Sequence, residues 1–301
     1  MTDSLEISVV VPTYNRLDTL RYVIPSLVAQ DLRPDAFEVI VADSQSNDGT
    51  AEYLAEVARS SPNIRHLPGP YSGRASARNA GIGAARAALV LFTDADIIAS
   101  TDLLSRHIAR HAGRPGRAVV GCEIQVDSYE AYLRKSRNAG LRDPLHPPTR
   151  KRLSWLYFMT GNCSVARADL DRVGRFDEAF TGYGHEDLEL GYRLQHAGLP
   201  IAYAPEAINY HWHPVPFDQQ QGRMELAGRS TVRFFRKHPT FGVRLRLGMT
   251  PVSLGLHGVV DRVPALRRWI DDGARAPGFA RTLSFQYHYL TGIKAALRDP
   301  S

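Results

Sequence analysis

The chain has 301 residues, 44% of them hydrophobic and 23% charged, with a formal net charge of +6. No apolar run approaches the ~18 residues that a membrane-spanning helix needs. Its two cysteines, Cys122 and Cys163, are too few for a disulfide framework, and the first ten residues lack the basic flank of a signal peptide. Composition therefore excludes a membrane-spanning or disulfide-rich protein, and we expect a cytoplasmic one.

The first hundred residues alternate between two patterns. Apolar, β-branched runs predict strands at residues 7–14, 37–43, 63–68 and 87–94, with helical spacing between them at 16–30, 48–60 and 75–86. This alternation predicts βαβ units and a mostly parallel sheet, whose ligands bind at the carboxyl ends of the strands. We therefore expect Thr13 and Tyr14, Asp43, and the pair Asp94 and Asp96 to converge on one crevice.

Beyond residue 100 the pattern is less regular. A strand is predicted at 118–125, a Pro-rich basic loop at 142–152, strand character at 155–167, a helix at 187–198 and an extended segment at 201–213. After Pro216 the pattern is helical and basic. Residues 219–301 carry 14 Lys and Arg against five Asp and Glu, whereas residues 1–218 carry 23 bases against 26 acids.

Two carboxylates end the most apolar segment, "LVLFTDADII" (89–98). Asp94 and Asp96 repel each other unless they face water or share a cation. A divalent cation bound to phosphate oxygens is one explanation, because hard cations prefer carboxylate ligands. A solvated surface turn is the other.

Four motifs occur in a fixed order. They are "VVVPTYNR" (9–16), "EVIVADSQSNDGT" (38–50), "GRASARNAGI" (73–82) and "LFTDADI" (91–97). Together they resemble the nucleotide-binding half of family 2 glycosyltransferases. The resemblance implies a GT-A fold, that is, an α/β protein with a Rossmann-like, mostly parallel sheet flanked by helices, here followed by a C-terminal helical extension. It also implies a nucleotide-sugar donor and a divalent metal, Mn²⁺ or Mg²⁺.

The resemblance assigns the nucleobase to the first two motifs. Pro12 and Tyr14 would hold the base, Tyr14 by stacking, and Asp43 would accept a hydrogen bond from the imide N–H of uracil or thymine. The family commonly has a second acid after the position of Asp43, and this chain has Ser44 there. The structural alternatives are a packed aromatic for Tyr14 and a turn-forming residue for Asp43.

The last two motifs would hold the rest of the donor. By resemblance Arg78 would reach the base or the phosphates, with Arg74 a weaker candidate, and Asp94 would lie by the ribose and the metal. Asp96 would be the direct metal ligand. The alternative for Arg78 is a charge on the surface of a helix.

A second informative stretch spans residues 158–198. Phe176-Asp177-Glu178 followed by "GYGHEDLELGYR" resembles the acceptor-side motif of the same family and of animal N-acetylgalactosaminyl- and galactosyl-transferases. Glycines such as Gly184 allow a tight turn, and Glu186 and Asp187 begin a helix whose dipole favours carboxylates. The resemblance makes Asp187 the base that deprotonates the acceptor hydroxyl, with Glu186 and Gly184 on the acceptor side. A helix cap is the alternative.

"NYHWHPVP" (209–216) adds two histidines. Imidazole and carboxylate suit Mn²⁺, and related enzymes complete the metal shell with a downstream histidine. His211 fits that position best, with His213 the second choice. A structural histidine pair on a strand is the alternative.

We therefore predict a metal-dependent inverting glycosyltransferase that moves a sugar from a nucleotide donor, a UDP-sugar, to an acceptor hydroxyl in polysaccharide or glycoconjugate synthesis. Inversion is expected because one base opposite the leaving diphosphate permits a single in-line displacement. The catalytic domain would span 1–217, with a nucleotide-sugar half at 1–98 and an acceptor half at 99–217, and the basic extension 218–301. The alternatives are a nucleotidyltransferase, which would need a Gly-rich basic loop after the first strand, and a non-catalytic sugar-nucleotide-binding module.

The basic extension could contact phosphates in two ways. The sequence shows neither an aromatic stacking platform nor a reading helix, so nucleic-acid binding is not expected. Bases interleaved with aromatic and aliphatic residues at 223–239 and 244–260 suit a helix at an anionic bilayer surface. We hypothesise a peripheral contact with the inner face of the membrane, the alternative being helices that pack on the catalytic domain.

Overall fold

A computed structural model of the chain describes residues 5–144, 152–212, 217–273 and 278–299. The chain divides into two compact units. The sheet unit comprises Met1–Thr181 and Glu186–Pro214, and the helical unit comprises Gly182–His185 and Val215–Ser301. The predicted boundary at 217/218 and the division into two functional halves stay predictions.

The sheet unit is built on one mixed sheet. Its strands, in the described residues, are β1 Ile7–Thr13, β2 Phe37–Asp43, β3 Ile64–Pro68, β4 Leu89–Phe92, β5 Ile97–Ala99, β6 Ala118–Val126, β7 Arg152–Leu153, β8 Cys163–Ala166 and β9 Ile201–Trp212. The order is β3-β2-β1-β4-β8-β6-β9-β5, and β7 pairs with β9. The first four strands in this order run parallel, and β8 is antiparallel to both its neighbours. The parallel half carries the three motif-bearing strand ends.

Helices cover this sheet. They are α1 Leu17–Val28, α2 Thr50–Ser60, α3 Arg74–Ala84, α4 Leu103–His111, α5 Tyr129–Arg137, α6 Arg167–Val173 and α7 Glu186–His196. Every residue of β1, β2 and β4 is buried, as expected for parallel strands covered on both faces. These strands are largely apolar, with Ser8 and Glu38 as buried polar exceptions, and could therefore be recognised from the sequence. The predicted α/β fold of GT-A type is confirmed.

The sequence prediction was wrong or incomplete in the second hundred residues. Residues 155–162 are not a strand: a short 3₁₀ helix, Trp155–Tyr157, precedes β8. Trp155 and Phe158 are buried in this irregular segment, which gave it an apolar composition without a strand. Helices α5 and α6 were missed because each buries one residue, Ala131 and Leu170 respectively, and so lacks an apolar stripe. Residues 145–151 of the predicted loop and His213 lie outside the described residues.

The helical unit contains α8 Phe217–Lys237, α9 Phe241–Arg246, α10 Pro251–Arg262, α11 Pro264–Gly273 and α12 Phe279–Arg298. Helices α8 and α12 cross at two glycines: a Cβ on Gly228 would lie 2.1 Å from the Tyr289 carbonyl oxygen, and one on Gly292 would lie 2.0 Å from that of Glu225. The close crossing therefore requires glycine at both positions. Within the described ranges, no helix is both long enough and apolar enough to cross a bilayer.

A buried histidine in the sheet unit makes its stability pH-dependent. His107 is fully buried, with Ser164 Oγ and Asn162 Oδ1 each 2.8 Å from its ring nitrogens. Burial lowers the pKa of His107 to about 4. Because the unfolded chain binds this proton near pH 6.5 and the folded chain near pH 4, stability is complete above pH 6.5 and is lost as pH falls toward 4.

We expect the free energy of unfolding, measured by urea titration, to fall by up to about 3 kcal/mol from this residue between pH 6.5 and 4, at 1.36 kcal/mol per pKa unit. His107→Gln should be less stable at pH 7 but should lose this part of the pH dependence. Equal pH slopes in the two proteins would contradict the assignment.

Candidate active site

The ends of β1 and β2 carry the residues predicted to hold a nucleobase. Pro12 is buried within β1, and Thr13 is in register with Asp43 at the end of β2. Tyr14 follows with its side chain 60% exposed, so the packed-aromatic alternative is wrong. An exposed ring beside a polar strand end is available for stacking, and its contact with a base stays a prediction.

Asp43 is held by three donors. Its Oδ1 accepts from Ser46 N at 3.0 Å and Ser46 Oγ at 2.6 Å, and its Oδ2 lies 3.1 Å from His66 Nε2. The turn-forming role is therefore present, and it fixes the carboxylate rather than excluding a ligand, since each oxygen has two acceptor positions. His66 was missed because nothing in "NIRHLP" marks it.

The two loops beyond β1 and β2 interlock. Asn15 and Gln45 adopt left-handed backbone conformations with φ of 50° and 61°. Asn15 Oδ1 accepts from Asn47 N at 2.9 Å, and Asp48 Oδ2 accepts from Leu17 N at 2.9 Å at the start of α1. These bonds across the loops fix the backbone on either side of Tyr14 and Asp43.

The two acids after β4 have different partners. Asp94 Oδ1 accepts from an Arg78 Nη at 2.7 Å, whereas Asp96 Oδ1 lies 3.6 Å from His211 Nε2. Ala95 between them is 5% exposed. The carboxylates are thus divided between two neighbours, which explains how the chain tolerates like charges one residue apart.

His211 is oriented by a second carboxylate. It lies opposite Ile97 in the β5–β9 pairing, and its Nδ1 is 3.0 Å from Glu123 Oε1. Burial lowers its pKa, but the carboxylates of Asp96 and Glu123 outweigh burial and raise the pKa of His211 to about 10. At neutral pH the ring is therefore protonated on both nitrogens, with Nδ1–H directed to Glu123 and Nε2–H directed to Asp96. A cation held together with Asp96 would replace the Nε2 proton.

This donor set fits a divalent cation. The Asp96 carboxylate and the His211 imidazole face each other. The other ring nitrogen of His211 lies against the Glu123 carboxylate, an arrangement that is usual for metal-binding histidines. No group of three or more His, Cys, Asp or Glu side chains among the described residues could hold an ion by itself. Glu123 was missed by the sequence analysis, because its link to His211 spans 88 residues.

Arg78 is an interior residue with a side chain 1% exposed, so the helix-surface alternative is wrong. Its other Nη donates to Glu186 Oε1 at 2.8 Å, and its Cζ lies 5.6 Å from the centroid of the Phe176 ring. Arg78 therefore connects the end of β4 to the start of α7. Arg74, the weaker candidate, is exposed at the start of α3.

Asp187 lies in the first turn of α7. Burial and the neighbouring Glu186 carboxylate raise the pKa of Asp187 to about 7, against the opposing charge of Arg78. A carboxylate that titrates near neutral pH is matched to general base catalysis. In the helical unit, Gly184 has φ of +83°, a left-handed conformation that glycine adopts without strain.

Asn79 is a further residue that sequence reasoning missed. Its Oδ1 accepts from Phe176 N at 3.0 Å, and its Nδ2 donates to Phe176 O at 2.9 Å and to Glu178 Oε1 at 2.8 Å. The side chain thus holds the backbone of the "FDE" segment against α3. The position of Asn79 directly after Arg78 in "ARN" was the sequence signal that could have identified it.

The sheet order and flanking helices define a GT-A fold. The structure is similar to the mannosyltransferase PcManGT from Pyrobaculum calidifontis, solved with GDP-Man and Mn²⁺, with a TM-score of 0.66, 20% identity and coverage of 99% of this chain and 88% of that one. It is also similar to S. aureus TarS 1–349 with UDP-GlcNAc, with a TM-score of 0.58, 17% identity and coverage of 98% and 92%. At these identities the likeness concerns the fold alone.

Two family models match the sequence. "Glycosyl transferase family 2" matches residues 8–174, and "N-terminal domain of galactosyltransferase" matches residues 146–214. The chain belongs to glycosyl transferase family 2. A validoxylamine A glucosyltransferase of Streptomyces hygroscopicus subsp. limoneus is 32% identical over 85% of this chain and 61% of that protein. The chain spans 61% and 66% of the length of the two validoxylamine A glucosyltransferases it matches.

Proposed function

We propose that this chain is a metal-dependent inverting glycosyltransferase that moves a sugar from a nucleoside-diphosphate donor, a UDP-sugar, to an acceptor hydroxyl in polysaccharide or glycoconjugate synthesis. The observation that carries the proposal is the ion-pair set of Arg78 with Asp94 and Glu186. It joins Asp94 of the D-x-D turn to Glu186 in the first turn of α7, which supports the proposal that the donor-side acids and Asp187 act in one site.

On the donor side, Tyr14, Pro12 and Asp43 would hold the base. Asp96 and His211 would hold Mn²⁺ or Mg²⁺, whose remaining ligands would be diphosphate oxygens and water. When bound, the cation supplies charge that stabilises the departing diphosphate. The protein's part is to orient these ligands, which Glu123 does for His211. Arg78 holds Asp94, two residues before Asp96.

On the acceptor side, Asp187 would accept the proton of the attacking hydroxyl. Its raised pKa suits this role at neutral pH, because the group is then both available as a base and basic enough to take the proton. A single base on the face opposite the leaving group permits one displacement, with inversion. Glu186 would shape the acceptor edge, and the assignment of Gly184 to the acceptor side stays a prediction.

The experiment is a panel of sugar nucleotides with Mn²⁺, scored by thermal stabilisation and by slow release of nucleoside diphosphate. UDP-glucose, UDP-GlcNAc and GDP-mannose form the panel. Validoxylamine A is the first acceptor to test, since it is named in a 32% identical relative. Release of diphosphate with transfer of the sugar supports the proposal. Formation of nucleoside triphosphate and sugar-1-phosphate when pyrophosphate is added to the sugar nucleotide would indicate a nucleotidyltransferase, and binding without turnover would indicate a non-catalytic module.

A peripheral membrane contact is a separate proposal, and the structure favours the second of the two predicted segments, residues 244–260, over the first. In α8 the apolar residues Val232 and Phe234 are buried within the helical unit and are not available to lipid. On α10, Val252, Leu256 and Val259 are 71%, 62% and 55% exposed at helical spacing, with Arg262 at its end. Exposed apolar and basic residues together favour an anionic bilayer surface.

We expect the protein to float with anionic vesicles at low salt, and the bound fraction to fall several-fold at high salt. A variant with Val252, Leu256 and Val259 changed to Ser should lose binding while keeping its turnover. Neutral vesicles are the control. Absence of flotation on anionic vesicles at low salt would contradict the proposal.

A further inference from the structure

Three carboxylates surround one buried guanidinium in the sheet unit. Arg78 donates to Asp94 at 2.7 Å and to Glu186 at 2.8 Å, and its charge acts on Asp187. Its side chain is 1% exposed, that of Glu186 is 5% exposed and that of Asp94 is 31% exposed. The guanidinium thus has its solvent-accessible partner on the donor side and its buried partner on the acceptor side.

Two buried polar atoms of this cluster have no hydrogen-bond partner among the described residues. They are Arg78 Nε and Glu186 Oε2. An unpaired buried carboxylate oxygen is costly, and its position depends on the one bond that the other oxygen makes. Removal of Arg78 would therefore release Glu186, the first residue of α7, and with it the orientation of the first turn that contains Asp187.

The surroundings hold the guanidinium in place from other sides. The Phe176 ring lies under it, with the ring itself 5.2 Å from Phe92 in an edge-on arrangement. The Asn79 side chain hydrogen-bonds to both the backbone N–H and the carbonyl oxygen of Phe176. Arginine is suited to this position, because its planar fork can donate to two carboxylates in fixed directions and lysine cannot.

We propose that Arg78 is a positioning residue of the transfer reaction, acting through Glu186 to orient the first turn of α7 relative to the acid at the end of β4, rather than a residue whose main role is contact with the donor. The inference rests on the proposed function. It differs from the expectation that Arg78 reaches the base or the phosphates, because the two roles affect different kinetic constants.

The test compares Arg78→Lys, Glu186→Gln and the double variant. Donor affinity is measured by calorimetry with UDP and Mn²⁺, and turnover by UDP release from the best UDP-sugar. If Arg78 positions the base, Arg78→Lys should lower kcat by ~10²-fold, the usual effect of a misplacement of about 1 Å, with UDP affinity changed less than about threefold. Arg86→Lys is the matched control, since Arg86 pairs with buried Glu38 away from the site, and it should leave both constants unchanged.

The double variant decides whether Arg78 acts through Glu186. Non-additivity is expected: the double variant should be no more than about threefold slower than the slower single variant. Additive losses, or a tenfold loss of UDP affinity with unchanged kcat, would overturn the inference. So would unchanged kcat and unchanged affinity. If Arg78→Lys fails to fold by circular dichroism, Glu186→Gln alone must lower kcat at unchanged UDP affinity, and an unchanged kcat overturns the inference.

The dependence of kcat on pH provides a further test, because a residue that only stabilised the fold would not change it. Among the described residues, the charged groups that act electrostatically on Asp187 include Arg78, Glu186 and Asp94, and Asp187 in turn acts on the thiol of Cys163. Arg78→Met removes the positive charge among them, so the rising limb of kcat against pH should move to higher pH. An unmoved limb would overturn the inference. A wild type that releases no nucleoside diphosphate from the sugar-nucleotide panel would overturn the proposed function itself.

Discussion

Asp187→Asn is expected to lower turnover by ~10²–10⁴-fold, the usual contribution of a positioned general base, while donor affinity stays nearly unchanged. The amide keeps the shape of the side chain and cannot take a proton. In the wild type, kcat should rise with pH and level off above about pH 7, because the pKa of Asp187 is raised to about 7 and the base must be ionised. Steady-state kinetics and calorimetry with UDP-sugar measure both effects.

Asp171→Asn is the matched control, an identical substitution at a carboxylate 46% exposed on α6 and paired with Arg175. It should leave turnover within about twofold, as expected for a surface substitution. Near wild-type turnover of Asp187→Asn on the true acceptor would refute the base assignment.

Asp96→Ala is expected to abolish metal-dependent donor binding, and His211→Ala to weaken it less. An anionic ligand contributes more than a neutral one at a divalent cation. Glu123→Gln should lower Mn²⁺ affinity by about 10–100-fold, because outer partners of metal ligands have effects of that size. Calorimetry of UDP with and without Mn²⁺ ranks the three variants.

The control for this series is Asp35→Ala, a carboxylate 62% exposed beside Arg33. It should bind the donor and the metal as the wild type does. Equal donor affinity with and without metal in the wild type would contradict the metal-dependent mechanism.

Local sequence determined the parallel half of the sheet. The strands β1, β2 and β4 are buried throughout and are therefore largely apolar, which made them recognisable in the sequence. Because parallel strands end at one edge, the sequence also predicted that Thr13, Asp43 and Asp94 would lie at the same edge. It did not predict α5 or α6, whose single buried residues leave no periodic stripe.

Tertiary structure alone decided what each candidate side chain contacts. The bond from Arg78 to Glu186 spans 108 residues, that from Asp43 to His66 spans 23, and that from His211 to Glu123 spans 88. Residue type and spacing indicate that a charge is present, but a partner so far along the chain is set only by how helices and strands pack. For that reason the sequence by itself determined the family, the strand ends and the candidate acids, whereas the fold decided that Arg78 lies buried between Asp94 and Glu186 instead of on the surface of a helix.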